Sequence, residues 1–289
     1  MPALAGALHT SRPTSAARIS SLFTLDSPRR MNGSEVSDPG SSRSEMPPTE
    51  SSRLPQGPEP KSAFPLLGGI LQLIQDQAAR SPTSVAIHWG KERLSYSELD
   101  QRANRLGRHL RGSGVDPRGR VMLCLDHSME TLVALLAVWK SGAGAVPVDG
   151  SNPHLPLDRL VRQVKPTAFI VRGSLPERVD PLGAAVINLD DVAPALASVS
   201  AEPLGIPVDP EAVALQLVGT DGWEPTLGEV TSHVQLVNRL GSLAPKGARV
   251  PAGAMPASSP IWTERGIIEL LLPLAVGAEV VVLNESRSG

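Results

Sequence analysis

Absences bound this sequence first. Among its 289 residues there is one cysteine, Cys124, so no internal disulfide can form. Its place in an apolar strand pattern reads as a buried thiol in preference to a nucleophile. No His/Cys group has the spacing of a zinc site. No apolar run reaches the ~18 to 20 residues that would span a bilayer. The net charge of −2 supplies no general attraction to nucleic acid or to an anionic membrane. The expectation is a soluble, cytoplasmic protein with neither as a partner. Aromatic residues make up only 3% of the chain, which removes large ring anchors and predicts a core filled by Leu, Val and Ala.

What the chain has in quantity is glycine and proline, 26 and 28 residues, many of them in the first sixty positions and in residues 245–260. Residues 1–62 are rich in Ser, Pro, Arg and Gly and lack sustained apolar periodicity. They cannot bury enough surface to offset their ordering entropy and are expected to be a disordered tail. Arg12, Arg18, Arg29 and Arg30 around the short apolar run 19–25 give that tail some character of an organelle transit peptide. A plain tail, or a true start at Met31 or Met46, accounts for the same residues. Residues 63–289 are read as the folded part.

There the pattern is regular. Leu66, Ile70, Leu73, Ile74 and Ala78 recur at helical spacing until Ser81-Pro82, and a strand over 85–89 turns through Gly90-Lys91-Glu92. Ser97-Glu98 opens a helix whose stripe is Leu99, Ala103, Leu106 and Leu110, closed by Gly112 and Gly114. Residues 121–125 form an apolar run of the kind buried in a parallel sheet. Ser128 is placed to cap a helix whose inner face is Leu132, Leu135, Leu136 and Trp139, stopped by Gly142 and Gly144. Strands are expected over 145–148, 168–171, 184–189 and 213–218. Between the first two lies a helix carrying Leu157, Leu160, Val161 and Val164, ended by Lys165-Pro166. Strands alternating with helices over short turns argue an α/β fold of layered sheets with packed helices.

Several blocks in this order and spacing carry a resemblance: Leu94-Ser95-Tyr96-Ser97-Glu98-Leu99, Ala103-Asn104-Arg105-Leu106, Gly114-Val115, residues 132–142 and Val146-Pro147-Val148-Asp149. Together they resemble the opening motifs of adenylate-forming synthetases, most closely the adenylation domains of non-ribosomal peptide synthetases. Arg159 falls where that family has an arginine after a proline-rich turn. The resemblance implies the N-terminal portion of the family's large domain. It also implies the family's reaction, in which ATP and Mg activate a carboxylate as an acyl-adenylate.

The family's phosphate loop should follow the strand over 213–218. Such a loop works because Gly lets backbone N–H groups approach phosphate, Ser and Thr add donors, and Lys neutralises charge. The matching residues are Gly219-Thr220-Asp221-Gly222-Trp223-Glu224-Pro225-Thr226-Leu227-Gly228, followed by Glu229 and then Ser232-His233. Gly219, Thr220, Asp221, Gly222 and Gly228 are therefore the candidate nucleotide-binding positions. In that register Leu227 stands where the family carries its lysine, Trp223 where it carries threonine, and Asp221 and Glu224 where it carries glycines. Thr220-Asp221-Gly222 also suits a plain tight turn.

Residues 244–260 read as a loop or poorly formed strand region, followed by a helix opened by Thr263-Glu264 and a strand over 280–283. The resemblance places Glu264 on an aspartate that holds the substrate amine in amino-acid-activating members. An acid there is equally favoured by the helix dipole. No catalytic residue, metal site or cofactor of its own is expected in this chain. The family's later motifs and lid are absent from it, and the expectation is a truncated, degenerate adenylation domain without activity. Two alternatives stand beside it. The chain is half of a split synthetase completed by another polypeptide, or it is a docking module for a synthetase or carrier protein. An unfinished sheet would also favour self-association.

Overall fold

A computed structural model describes residues 69–150, 152, 154–177, 179–219, 226–243 and 254–282. The expected tail 1–62, the start of the first helix near Leu66, and Leu283 lie outside the described residues. So do Thr220, Asp221, Gly222, Trp223 and Glu224.

The first helix, α1 (Gly69–Arg80), buries Ile70, Leu71, Leu73 and Ile74. It leads into the hairpin β1 (Val85–Trp89) and β2 (Glu92–Ser95), turned at Gly90 with φ +62°. Helix α2 (Tyr96–Gly112) follows. Its cap is Ser95, two residues before the expected Ser97-Glu98 opening. The Ser95 hydroxyl accepts from the Glu98 backbone N–H at 3.2 Å while the Glu98 carboxylate accepts from the Ser95 N–H at 2.8 Å. The stripe Leu99, Ala103, Leu106 and Leu110 is buried as its spacing requires.

β3 (Arg120–Leu125), α3 (Met129–Ser141) and β4 (Gly144–Asp149) come next. α3 was expected to bury one face. In the structure every residue but Glu130 is buried, because the helix is enclosed between the strands and α2 and is apolar nearly all round. Ser128 makes no side-chain cap bond. Thr131 Oγ1 instead donates to the Asp126 carbonyl at 2.5 Å. Gly142, at φ +90°, ends the helix in the left-handed conformation expected of a glycine stop.

α4 (Leu157–Val164), β5 (Ala168–Val171) and β6 (Ala185–Asn188) match their sequence patterns. α5 (Leu189–Leu196) was not foreseen, since Pro194 sits inside it. After β7 (Val213–Gly219) the chain returns as β8 (Thr226–Ser232), also unforeseen, and enters α6 (His233–Leu243). The last described elements are β9 (Met255–Ala257), α7 (Glu264–Val276) and β10 (Val280–Val282).

The strands form two sheets, ordered β2-β1-β10-β9 and β6-β5-β3-β4-β7-β8. In the larger, β3 to β7 run parallel and β8 is antiparallel to β7. One apolar cluster joins α1, α2, α3 and α7 to the sheets, and a second lies beneath α4 around Met122, Val146 and Phe169. As the low aromatic count predicts, the core is filled mainly by aliphatic side chains, Leu, Val and Ala foremost. Trp139, Tyr96 and Phe169 are among the largest fully buried side chains, while Trp89 and Trp262 are partly buried. The Tyr96 hydroxyl donates to the Ala278 carbonyl at 2.9 Å, which ties the start of α2 to the end of α7.

Candidate functional site

Parallel α/β sheets present ligands with the carboxyl ends of their strands. In this sheet that edge holds the end of β7, where Gly219 faces Thr226 across the hairpin and Val218 faces Leu227. A Cβ on Gly219 would lie 2.7 Å from Thr226 Oγ1, so a larger residue there would require that hydroxyl to turn away. Between Gln216 and Val218 the register shifts: β8 carries one residue more than β7 there. Gly228 sits in that irregularity, and a Cβ on it would lie 2.9 Å from the Leu217 carbonyl oxygen. Gln216 Nε2 donates to the Gly228 carbonyl at 3.0 Å and holds the distortion. Gly219 and Gly228 are thus brought together on facing strands. Thr220, Asp221 and Gly222 belong to the connection outside the described residues.

Electrostatics at the hairpin are one-sided. Neither β7 nor β8 carries a lysine or arginine, and their one charged side chain is the exposed Glu229. Between Arg178 and Arg239 the sequence contains no Lys or Arg. Leu227, the position that resemblance assigns to a lysine, is half-buried and packs with Val218 against the cluster beneath α4. The Ser232 hydroxyl and the Gln235 side chain form a reciprocal cap at the start of α6, at 3.3 and 2.8 Å. His233, just inside that helix, is 1% exposed, with its ring edge-on to Trp139 at 5.4 Å between centroids. Burial holds its imidazole down, to a pKa of about 4 against 6.5, with the Asp209 carboxylate opposing.

Glu264 occupies the first turn of α7. The helix is capped by Thr263, whose side chain accepts from the Gly266 N–H at 3.1 Å, and the exposed Glu264 carboxylate pairs with Arg239 of α6. Cys124 lines a cleft of about 280 Å³ at the ends of β3, β4 and β5, and burial pushes its thiol up to about 12. A thiol so raised is no nucleophile at neutral pH. Among the described residues no group of His, Cys, Asp or Glu is arranged to hold a metal ion, and no helix is long and apolar enough to cross a membrane.

Two arrangements were invisible to pattern reading. His127, just after β3, stacks edge-on between Trp89 at the end of β1 and Trp262, at 4.6 and 6.1 Å. Glu269, 8% exposed, accepts from the Ser258 and Ser259 N–H groups at 2.8 and 2.9 Å and from Arg265 at 2.6 Å. Burial alone would raise that carboxyl, but these donors hold it below its usual range. Only the Arg265–Glu269 contact follows a local spacing, i and i+4 on α7; the other contacts join separate segments.

The family described as AMP-binding enzyme matches residues 74–222, more than half of the chain. The chain belongs to that family. Family members use ATP and Mg, and the chain is similar to non-ribosomal peptide synthetases. Phosphinothricin tripeptide synthetase PhsC of Streptomyces viridochromogenes is 30% identical over 213 residues, covering 73% of this chain and 19% of the synthetase. N-(5-amino-5-carboxypentanoyl)-L-cysteinyl-D-valine synthase of Amycolatopsis lactamdurans is 45% identical over 107 residues, 36% of this chain and 3% of that protein. Among solved structures, the nonribosomal peptide synthetase FmoA3 superposes with a TM-score of 0.67 at 27% identity, covering 78% of this chain and 24% of its own. A second FmoA3 structure, at 26% identity, has AMPPNP bound. VinN with L-aspartate, at 20% identity and a TM-score of 0.63, shares the fold. The chain spans about a fifth of PhsC and a smaller part of the larger synthetases.

Proposed function

We propose that this chain is an amino-acid adenylation domain of non-ribosomal peptide synthetase type whose phosphate loop no longer holds ATP, so that it does not itself form an acyl-adenylate. The observation that carries this reading is the charge of the loop and its hairpin. Asp221, Glu224 and Glu229 stand in a stretch without a single lysine or arginine, and Leu227 is turned into an apolar cluster. A charge-assisted hydrogen bond to phosphate is worth about 1.5 to 3 kcal/mol, and a carboxylate facing phosphate adds repulsion. The residues present do not fit a magnesium nucleotide at this hairpin. Glu264, paired with Arg239 in the first turn of α7, serves this reading as a helix-terminal acid and not as an amine contact.

Amino-acid-dependent exchange of pyrophosphate into ATP tests the proposal. Background exchange with every proteinogenic amino acid is expected, and exchange stimulated by any one of them overturns it.

A second reading, in which the chain works as part of a larger assembly, is favoured by β8. That strand is an edge of the six-stranded sheet among the described residues. Its outer backbone groups are suited to pairing with a further strand, from a second copy or from a larger synthetase or carrier protein. Co-purification with such a synthetase supports this reading, and a monomer under all conditions counts against it.

A further inference from the structure

A cavity of about 340 Å³ lies between α2, α3 and α5, and none of its lining residues belongs to the β7/β8 hairpin or to α7. Its floor is apolar: Leu106 from α2, Val133 from α3 and Leu189 from α5 are each at most 9% exposed. Its rim is cationic, with Arg102 and Arg105 one helical turn apart on α2 and Arg172 at the end of β5.

The two acids of the lining are already engaged. Arg172 lies 3.5 Å from Glu130 and 3.3 Å from Asp190 and bridges α3 to α5. Arg105 spends its Nε on the Val199 carbonyl at 3.3 Å. Neither Arg102 nor Arg105 forms an ion pair among the described residues. Glu98, one helical turn before Arg102, feels its charge from beyond salt-bridge distance and accepts hydrogen bonds from the Ser95 N–H and hydroxyl at 2.8 and 2.9 Å. Two guanidinium groups with no carboxylate in salt-bridge contact thus stand over a hydrocarbon floor, in a hollow at the small end of the range for ligand pockets, ~300 to 1,000 Å³.

We infer that this cavity binds a small amphipathic monocarboxylate, its hydrocarbon body on Leu106, Val133 and Leu189 and its carboxylate at Arg102 and Arg105. Guanidinium matches a carboxylate in planar, bidentate fashion, which a single ammonium does not. An amine of the same chain length would meet the same floor but a repelling rim. A site of this kind is independent of nucleotide and of the hairpin.

Octanoate, octylamine and octanol titrated into the full chain without ATP, followed by amide NMR shifts, test the inference. Saturable octanoate shifts confined to α2, α3 and α5 are expected, with no binding of octylamine and weaker binding of octanol. Arg102→Gln with Arg105→Gln should weaken octanoate at least about tenfold. Ala193→Trp, an exposed substitution that fills the hollow from α5, should abolish binding. If the double variant does not fold, the exposed Arg102→Gln alone should weaken binding measurably. The inference is overturned by an absence of saturable shifts, by octylamine binding equally, by shifts centred on the hairpin, or by unchanged affinity in a folded arginine variant.

Discussion

Lys140 Nζ lies 2.7 Å from Asp100 Oδ1, joining α3 to α2, with the lysine only 4% exposed. Burial pulls its ammonium below the ordinary lysine range, and the Asp100 carboxylate opposes that shift. Asp100 also accepts from Asn104 Nδ2 at 2.8 Å, so one carboxylate serves two buried donors. Gly107 allows the helices to approach, since a Cβ there would lie 3.0 Å from the Ala137 carbonyl oxygen.

Asp100→Ala should therefore cost about 3 to 5 kcal/mol in urea unfolding, because it strands a buried ammonium. Lys140→Met combined with Asp100→Leu should restore most of that loss. If the double variant is as unstable as Asp100→Ala, the pair is not what holds the two helices.

His233 sets an acid limb of stability. Its pKa is about 4 in the fold against 6.5 when unfolded, so below pH 6.5 the unfolded chain takes up a proton that the folded chain refuses. Stability from this group is complete above pH 6.5, falls as pH drops from 6.5 towards 4, and levels off below that. The amplitude is on the order of 3 kcal/mol. His233→Phe, which keeps a ring against Trp139, should flatten this limb in denaturant midpoints measured across the interval.

Trp139 donates from Nε1 to the Ala214 carbonyl at 2.6 Å and is fully buried. It is the side-chain link between α3 and β7, the strand that leads to the phosphate-loop position. Trp139→Phe removes the donor and some volume and should cost about 2 to 4 kcal/mol in the same unfolding assay. A change within about half a kcal/mol would show that the bond contributes little.

The stripes of α2 and α4 and the glycine stop at Gly142 were legible in the sequence because periodicity and a left-handed C-cap are local properties. β8 was not, because Gly228 and the irregularity beside it break the two-residue alternation of Leu227 and Val230. α5 was hidden by Pro194, which is tolerated near the end of so short a helix. At the site, the resemblance placed Gly219 and Gly228 at the two ends of one loop, and they lie on paired strands. That Leu227 packs beneath α4, and that His127 sits between Trp89 and Trp262, depends on contacts between distant segments, which no local pattern encodes.

The most direct test is a calorimetric titration of MgATP into the full chain and into a loop-restored variant carrying Asp221→Gly, Trp223→Thr, Glu224→Gly and Leu227→Lys. The expected result is no measurable binding by the native chain and an affinity at least about tenfold tighter in the variant. Micromolar binding of ATP by the native chain, or no gain on restoring the lysine and glycines, would contradict a phosphate loop that has lost its ligand.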